Sequence, residues 1–305
     1  MYDMEFTEDI LQFKGRNIIA VFPGTTIGTA DDHVLLVGAH YDTVSSSPGV
    51  DDNGSGLAVL LETARILRKE MCKPKHTIIF VAFDFGEKDQ LGSFNFVHNW
   101  LPTFLSNSDG TNSTFMGAII MDCVMNYNNT ENSQHFPLTF SLAFPELYFA
   151  LQSENFKGNF LAVVGREHDD SPLLTRQELM YYENLLRSDH AAFWRNVPKS
   201  YSAIYLTDTR EYRGSMVRCY HQSCDNIASI SDNGLLYMAK ITRTLVNMIK
   251  EIAVEEQPGG CVDSVLVEEN THSTTIETSG TSAYVLSVYL FPMFVYWIPY
   301  YNEYI

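Results

Sequence analysis

The chain has 305 residues, of which 45% are hydrophobic and 13% aromatic, and its formal net charge is −17. This apolar content is sufficient for one large α/β domain or two small ones. Such an acidic surface repels phosphate backbones, so we expect no nucleic-acid partner. Five cysteines also exclude a disulfide-dense scaffold. The composition leaves the oligomeric state open.

The elements predicted along the chain alternate between strands and helices. Residues 18–22 and 33–42 contain continuous apolar runs of strand length, as is typical of strands covered on both faces. Residues 54–70 carry apolar side chains at helical spacing and end in basic residues, which predicts a helix. The same criteria predict strands at 76–85, 116–122 and 202–208, and helices at 93–101, 188–196 and 232–254. This alternation predicts an α/β fold with a mixed, largely parallel central β-sheet sandwiched between helices.

The two ends of the chain differ in character. The first 24 residues contain no basic segment followed by an apolar one, so they do not read as a signal peptide, and we expect the natural start to lie upstream. The regular pattern stops near residue 255. We therefore expect one domain over residues 1–255, a polar linker or tail over 256–282 and a hydrophobic segment over 283–305.

The hydrophobic segment includes an uncharged run over residues 283–299. A run of about 17 apolar residues is close to the shortest length that spans a bilayer. Three interpretations stay open: a membrane-spanning helix, a glycolipid-anchor signal that is cleaved off, and a strand of the domain itself. The first two predict membrane attachment.

One further pattern suits a secreted protein or one on the extracellular or lumenal side of a membrane. Asn112 and Asn128 occupy N-x-S/T sequons in polar, loop-like sequence, whereas the sequon at Asn53 lies in a motif where a glycan does not fit. Cys219 and Cys224 are close enough in sequence to bridge a local loop.

Metal-binding residue types cluster where the predicted strands end. In open α/β sheets, ligands bind at the carboxyl ends of the strands, so side chains from separate segments meet there. One carboxylate that can bridge, flanked by a histidine and a carboxylate on each side, is the donor set that two zinc ions require. Taken singly, each residue has an ordinary explanation, such as helix capping or turn formation. The residues concerned are His40, Asp42, Asp52, Glu87, Asp122 and His221.

Six sequence blocks strengthen this interpretation. They are GAHYDT (38–43), PGVDDNGSG (48–56), FVAFDFGEKDQLGS (80–93), MD (121–122), SDH (188–190) and YHQSCD (220–225). In this order they resemble the signature blocks of the M28 family of zinc metallopeptidases, over roughly residues 15–250. The resemblance implies the zinc-exopeptidase (phosphorylase/hydrolase-like) fold, two zinc ions per chain, a peptide substrate and aminopeptidase activity.

The resemblance also assigns roles to individual metal donors. It gives one zinc ion to His40 and Asp122 and the other to Glu87 and His221, with Asp52 bridging the two. Asp42 lies two residues after His40 on an extended chain and therefore faces the same way, so we expect its carboxylate to orient the imidazole.

Two more residues receive roles next to the predicted metal centre. Tyr220 would donate its hydroxyl to the oxyanion of the tetrahedral intermediate. His190 would lie near the substrate, although a histidine at the start of a helix also serves purely structural roles.

One position departs from the family pattern. Counting back from Gly92-Ser93 places Gly86 and Glu87 on two consecutive glutamates of the family, of which the second is the metal ligand. The first is the general base that takes a proton from the attacking water, and here it is glycine. General bases contribute about 10²–10⁴-fold to rate.

Three functions are compatible with this sequence. The first is a zinc exopeptidase that cleaves N-terminal residues from peptides and is impaired by Gly86. The second is a catalytically inactive relative that binds metal and peptide. The third is a carboxypeptidase or glutaminyl cyclase on the same scaffold, which ranks lowest because the SDH and YHQSCD blocks resemble the aminopeptidase branch.

Overall fold

The computed structural model describes residues 2–8, 13–71, 73–137, 139–166, 183–253, 286–290 and 293–299. The expected polar linker at 256–282 lies outside these residues. The described strands are β1 (Tyr2–Glu8), β2 (Phe13–Phe22), β3 (His33–His40), β4 (Ile78–Phe83), β5 (Thr114–Met121), β6 (Phe160–Arg166), β7 (Ala203–Thr207), β8 (Leu286–Leu290) and β9 (Met293–Pro299).

Helical segments connect most of these strands. The α-helices are Gly56–Glu70, Leu91–Asn95, Leu101–Leu105, Phe140–Ala143, Pro145–Ser153, His190–Arg195, Met216–Cys219 and Asp232–Ala253. Short π-helical turns cover Val50–Ser55 and Phe96–Trp100, and 3₁₀ turns cover Glu183–Leu186, Arg210–Tyr212 and Ile227–Ser229.

The described strands form one mixed sheet in the order β1-β2-β4-β3-β5-β7-β6-β9-β8. The four central strands β4, β3, β5 and β7 are parallel to one another. The outer pairings on both sides are antiparallel. The predicted fold class is confirmed: a mixed sheet, parallel at its centre, lies between helices.

The central sheet is buried on both faces because each face supports a separate hydrophobic core. Leu36 of β3 belongs to the core that includes Phe96 and Phe193. The next residue, Val37, faces the opposite core, where the helices Gly56–Glu70 and Asp232–Ala253 pack. Burial on both faces explains why the central strands are continuous apolar runs rather than alternating ones.

The described part of the C-terminal apolar segment extends the sheet. Strand β9 pairs antiparallel with β6, in register from Phe160 opposite Pro299 to Arg166 opposite Met293, and β8 pairs with β9. This matches the strand interpretation of residues 283–299. No helix among the described residues is long and apolar enough to cross a membrane. Membrane attachment through this segment stays a prediction.

Candidate metal centre

The three neighbouring strands β4, β3 and β5 deliver donor side chains to one edge of the sheet. His40 is the last residue of β3, Asp122 directly follows β5, and Glu87 follows β4 after a three-residue interval that ends at Gly86. Because these strands are parallel and adjacent, their carboxyl ends lie side by side.

Asp52 and His221 reach the same edge from loops. Asp52 lies in the π-helical turn Val50–Ser55, and its backbone N–H donates to Asp225 Oδ2 at 3.1 Å. His221 follows the helix Met216–Cys219 and has a left-handed φ of 58°. A disulfide joins Cys219 and Cys224 on either side of His221, as the sequence predicted.

The two carboxylate oxygens of Asp52 face different partners. Asp52 Oδ1 lies 3.6 Å from His40 Nε2, which in turn lies 3.8 Å from Asp122 Oδ1. Asp52 Oδ2 lies 3.1 Å from His221 Nε2, which lies 3.1 Å from Glu87 Oε2. The structure therefore brings all five predicted donors together and divides them into two groups that share Asp52.

These donor atoms are better placed to bind a divalent cation than to form hydrogen bonds with one another. Although Asp52 Oδ2 and His221 Nε2 face each other, neither atom makes a well-aligned hydrogen bond within the described residues, and the same holds for Glu87 Oε1. Donor atoms of His40, Asp52 and Glu87 all lie within 4.8 Å of one another. Imidazole nitrogens and carboxylate oxygens are ligands that zinc accepts. Buried donors without partners are the arrangement that a bound cation satisfies.

The electrostatics of the site lead to the same conclusion. Burial alone would lower the pKa of His40, but Asp122 and Asp42 outweigh it and raise that pKa well above its usual value. The carboxylates of Asp52 and Glu87 raise the pKa of His221 to about 9. The carboxylates thus make both imidazoles favourable positions for a positive charge, which a proton or a metal ion can supply.

Asp42 supports His40 from behind. The backbone carbonyl oxygen of Asp42 lies 3.1 Å from His40 Nδ1 and its Oδ1 lies 3.4 Å away, both on the side of the ring away from the other donors. The two carboxylate oxygens of Asp42 accept hydrogen bonds from the backbone N–H groups of Gly86 at 2.8 Å and Glu87 at 3.1 Å. Its carboxylate thus ties the imidazole to the loop after β4, the arrangement expected of a residue that orients a metal ligand.

Gly86 lies against the imidazole of His40. An added Cβ at this position would lie 2.8 Å from His40 Nδ1 and closer still to its Cβ and Cγ. Any side chain at residue 86 must therefore displace either the ring or the loop. The sequence identified the missing carboxylate but not this close approach.

Tyr220 packs directly on a metal donor. Its ring stacks on His221 with the centroids 3.9 Å apart, and its hydroxyl accepts a hydrogen bond from Arg187 Nη2 at 3.4 Å. Burial raises the pKa of Tyr220, so the hydroxyl stays protonated and able to donate. The geometry is compatible with the predicted role at the oxyanion.

Arginine side chains border the centre, and sequence reasoning did not single them out. The buried Arg210 places Nη1 3.5 Å from Asp122 Oδ2, and Arg187 pairs with Glu211. The Arg210 charge and His40 outweigh the effect of burial and lower the pKa of Asp122. The sequence spacing of residues 187 and 210 does not indicate that their side chains lie together, because only the fold brings both beside Tyr220.

His190 is a structural residue in this geometry. Its ring is fully buried, stacks on Tyr205 at 4.7 Å between centroids, and meets Trp194 edge-on. His190 Nε2 lies 2.7 Å from the carbonyl oxygen of Leu185. These are the contacts expected of the structural role that the sequence left open, and the contact with substrate stays a prediction.

The burial of His190 predicts acid sensitivity. Burial lowers its pKa to about 3, so between about pH 6.5 and that value the unfolded chain binds a proton that the folded chain does not. The free energy of unfolding therefore falls as the pH drops through this window, by about 2 kcal/mol at pH 5. We expect His190→Phe, which keeps the ring stacking, to abolish this part of the fall in the free energy of unfolding. Urea unfolding of the natural protein and the variant at pH 7 and pH 5 measures the fall. An equal fall in both proteins would contradict the assignment of the low pKa to His190.

An apolar cavity of about 100 Å³ lies beyond Arg210 and Tyr205. Aromatic and aliphatic side chains form most of its wall, among them Phe136, Phe140, Leu147, Leu151, Phe160 and Tyr212. Sequence reasoning missed this cavity, because residues 134–164 show no clean periodicity.

Comparison with known proteins agrees with this geometry. The model of the family described as peptidase family M28 matches residues 17–246. The chain is 29% identical over 242 residues to the uncharacterized protein YfbL of Escherichia coli, covering 70% of this chain and 65% of that protein. It is 27% identical over 243 residues to leupeptin-inactivating enzyme 1 of Streptomyces exfoliatus, covering 72% of this chain and 45% of that protein. The chain thus spans less than two thirds of the length of these relatives.

A solved structure shows the same fold. The zinc aminopeptidase BSAP from Bacillus subtilis superimposes with a TM-score of 0.51 and 21% identity, over 81% of this chain and 52% of that one.

Proposed function

Because the chain belongs to peptidase family M28, we propose that it is a zinc-dependent exopeptidase that removes residues from the N-termini of peptides through a centre of two zinc ions. The observation that carries the proposal is the division of donors around Asp52, whose oxygens face His40 on one side and His221 on the other. His40, Asp52 and Asp122 would hold one ion, and Asp52, Glu87 and His221 the other.

The side chains around the centre would each perform one task. When bound, a pair of zinc ions polarises the scissile carbonyl and lowers the pKa of a water molecule. Asp42 keeps His40 in the orientation that presents Nε2 to the centre. The protonated hydroxyl of Tyr220 donates to the developing oxyanion. At residue 86 no carboxylate is available to accept a proton, so turnover is slow relative to relatives that keep this base.

The apolar cavity is our candidate for the substrate side-chain pocket. Its wall includes Tyr205 and Arg210, and Arg210 also lies 3.5 Å from the donor Asp122, so the cavity and the centre share a border. A cavity of about 150 Å³ accepts benzene. The volume of about 100 Å³ here therefore suits an aliphatic or small aromatic side chain. We infer a preference for apolar N-terminal residues.

Gly86 supports a second candidate function, a protein that binds metal and peptide without cleaving. The absence of a carboxylate at this position removes the usual proton acceptor, while the five predicted metal donors and the pocket are present. The two candidates share the same site and differ only in turnover.

A disulfide beside a metal donor supports a location outside the cytosol. The Cys219–Cys224 bridge encloses His221, and such bridges persist in oxidising compartments. The sequon residue Asn112 is exposed, as a glycan requires, whereas Asn53 is buried. We infer that the protein works on the extracellular or lumenal side of a membrane.

The test combines metal analysis with a turnover assay on the purified chain. We expect two zinc ions per chain, slow release of the chromophore from leucyl and phenylalanyl p-nitroanilides, and loss of that activity on chelation. N-acetylated versions of the same substrates serve as the matched control and should not be cleaved. Bound zinc without any turnover would favour the non-cleaving candidate, and absence of bound metal would contradict both.

A further inference from the structure

Cys123 is a buried thiol within the group of metal donors. Its thiol donates a hydrogen bond to Asp122 Oδ1, with Sγ and the oxygen 3.4 Å apart. Donor atoms of Asp52, Asp122 and Cys123 all lie within 4.8 Å of one another. The three side chains are almost completely buried. The thiol is therefore part of the same buried cluster as two of the predicted donors.

The backbone fixes the position of this thiol. The N–H of Cys123 donates to Asn53 Oδ1 at 3.1 Å, and its carbonyl oxygen accepts from the N–H of Asp208 at 2.7 Å. Its φ of 56° lies in the left-handed region, which turns the chain directly after Asp122. Both backbone groups are thus bonded, and the hydrogen bond from the thiol to Asp122 Oδ1 orients Sγ.

A carboxylate oxygen in this cluster indicates a missing cation. Asp52 Oδ2, on the side of the shared carboxylate that faces His221, is buried and makes no well-aligned hydrogen bond with any described residue. Asp52 and Asp122 are both carboxylates in a buried setting, where like charges repel and desolvation is costly. A cation between them removes both penalties, and the thiol would lie against that cation.

We propose that Cys123 is a fourth protein donor to the cation that His40, Asp52 and Asp122 hold. Tetrahedral zinc with bonds of about 2.1 Å to oxygen and about 2.3 Å to sulfur separates those two donors by roughly 3.6 Å. The distance between Cys123 Sγ and Asp122 Oδ1 is close to that value. The separations of His40 Nε2 from Asp52 Oδ1 and Asp122 Oδ1, 3.6 and 3.8 Å, are also of this size. The inference rests on the proposed metal centre and extends its donor set.

A thiolate makes the two ends of the centre unequal. The end at His40 would have four protein donors, so water or substrate would bind there only as a fifth ligand. The end at Glu87 and His221, which also shares Asp52, has three and keeps an open position for water or substrate. A sulfur donor also favours soft cations such as Zn²⁺ and Cd²⁺ over Mn²⁺.

Cobalt substitution tests this directly, without reference to activity. The parent protein carries Cys72→Ser and Cys261→Ser, because those two cysteines lie outside the described residues and must not supply the thiolate. Loaded with Co²⁺, it should show d–d bands in the visible and a sulfur-to-cobalt charge-transfer band in the near ultraviolet. Adding Cys123→Ser should abolish the charge-transfer band and leave the visible bands. The Cd²⁺ dissociation constant should rise at least about tenfold, and that for Mn²⁺ much less.

Each other outcome overturns the proposal in a distinguishable way. If the parent protein shows the visible bands but no charge-transfer band, the metal centre stands and Cys123 is not one of its donors. A charge-transfer band that survives Cys123→Ser leads to the same conclusion. No cobalt bands at all would refute the metal centre together with its thiolate. A Cd-113 NMR spectrum of the parent protein needs no further variant: a resonance shifted strongly downfield supports a sulfur donor, and a shift typical of nitrogen and oxygen donors alone contradicts it.

Discussion

Replacing Asp52 with alanine should strip the protein of both zinc ions. Asp52 offers one oxygen to each donor group, so its loss removes a carboxylate from both sides of the centre at once. Each metal affinity should fall by more than about 100-fold, beyond the loss caused by removing a supporting partner alone. Metal analysis after dialysis should show a decrease from two ions per chain to none. Turnover of aminoacyl p-nitroanilides should disappear with the metal.

Two further variants show whether Asp52 is shared. His221→Ala should keep about one ion per chain, because His40, Asp52 and Asp122 are untouched. Asp31→Ala, which changes an exposed aspartate, should keep both. Retention of one tightly bound ion in Asp52→Ala would contradict the bridging role, and circular dichroism of each variant separates metal loss from unfolding.

Introducing a carboxylate at residue 86 should increase turnover. Gly86→Glu should raise kcat on the order of 10²-fold at saturating zinc, because a general base contributes about 10²–10⁴-fold. The structure adds an opposing effect, since any Cβ at residue 86 overlaps the His40 ring. Overpacking of this kind costs about 1–3 kcal/mol, so the zinc affinity of the variant should fall. Steady-state kinetics over a range of zinc concentrations separates the two effects.

Matched substitutions at the same position isolate the carboxylate. Gly86→Gln has the shape of glutamate without the base, and Gly86→Ala carries only the Cβ. Both should bind zinc more weakly, as Gly86→Glu does, and neither should gain in kcat. An equal gain in Gly86→Gln would show that the carboxylate is not the cause. Ordinary exopeptidase rates in the natural protein, unchanged by Gly86→Glu, would show that another group acts as the base.

The metal donors were predictable because they follow a general rule of parallel sheets. The apolar runs that became β3, β4 and β5 are visible in the sequence, and donors that follow such runs meet at the carboxyl edge. His221 does not follow a strand directly, and only the resemblance of the YHQSCD block identified it as a donor. The disulfide beside it was predictable from the short separation of Cys219 and Cys224.

Some elements were missed although the sequence held a signal for them. Strand β1 shows the alternation of Tyr2, Met4 and Phe6 that is typical of a strand with one covered face. Strand β6 is a short apolar run between Gly158 and Gly165, which resembles the central strands. The helices before β6 are short and rich in aromatic residues, so their periodicity is weak.

Other features depend on the fold and have no local signal. The contact of Gly86 with His40 arises because the loop after β4 bends back over the end of β3. The burial of His190 follows from its position between Tyr205 and Trp194, which no spacing in the sequence reveals. The apolar run around Cys123 predicted a buried thiol, and only the structure places that thiol beside Asp52 and Asp122.

The order of the donors along the chain has a consequence for how the protein is made. His40, Asp52, Glu87 and Asp122 all precede residue 123, whereas His221 follows Asp122 by about 100 residues. At a synthesis rate of about 5–20 residues per second, the donors of the first ion leave the ribosome roughly 5–20 s before His221. In the proposed two-zinc centre, the donors of the ion at His40 are thus all synthesised before the donor set of the ion at His221 is complete.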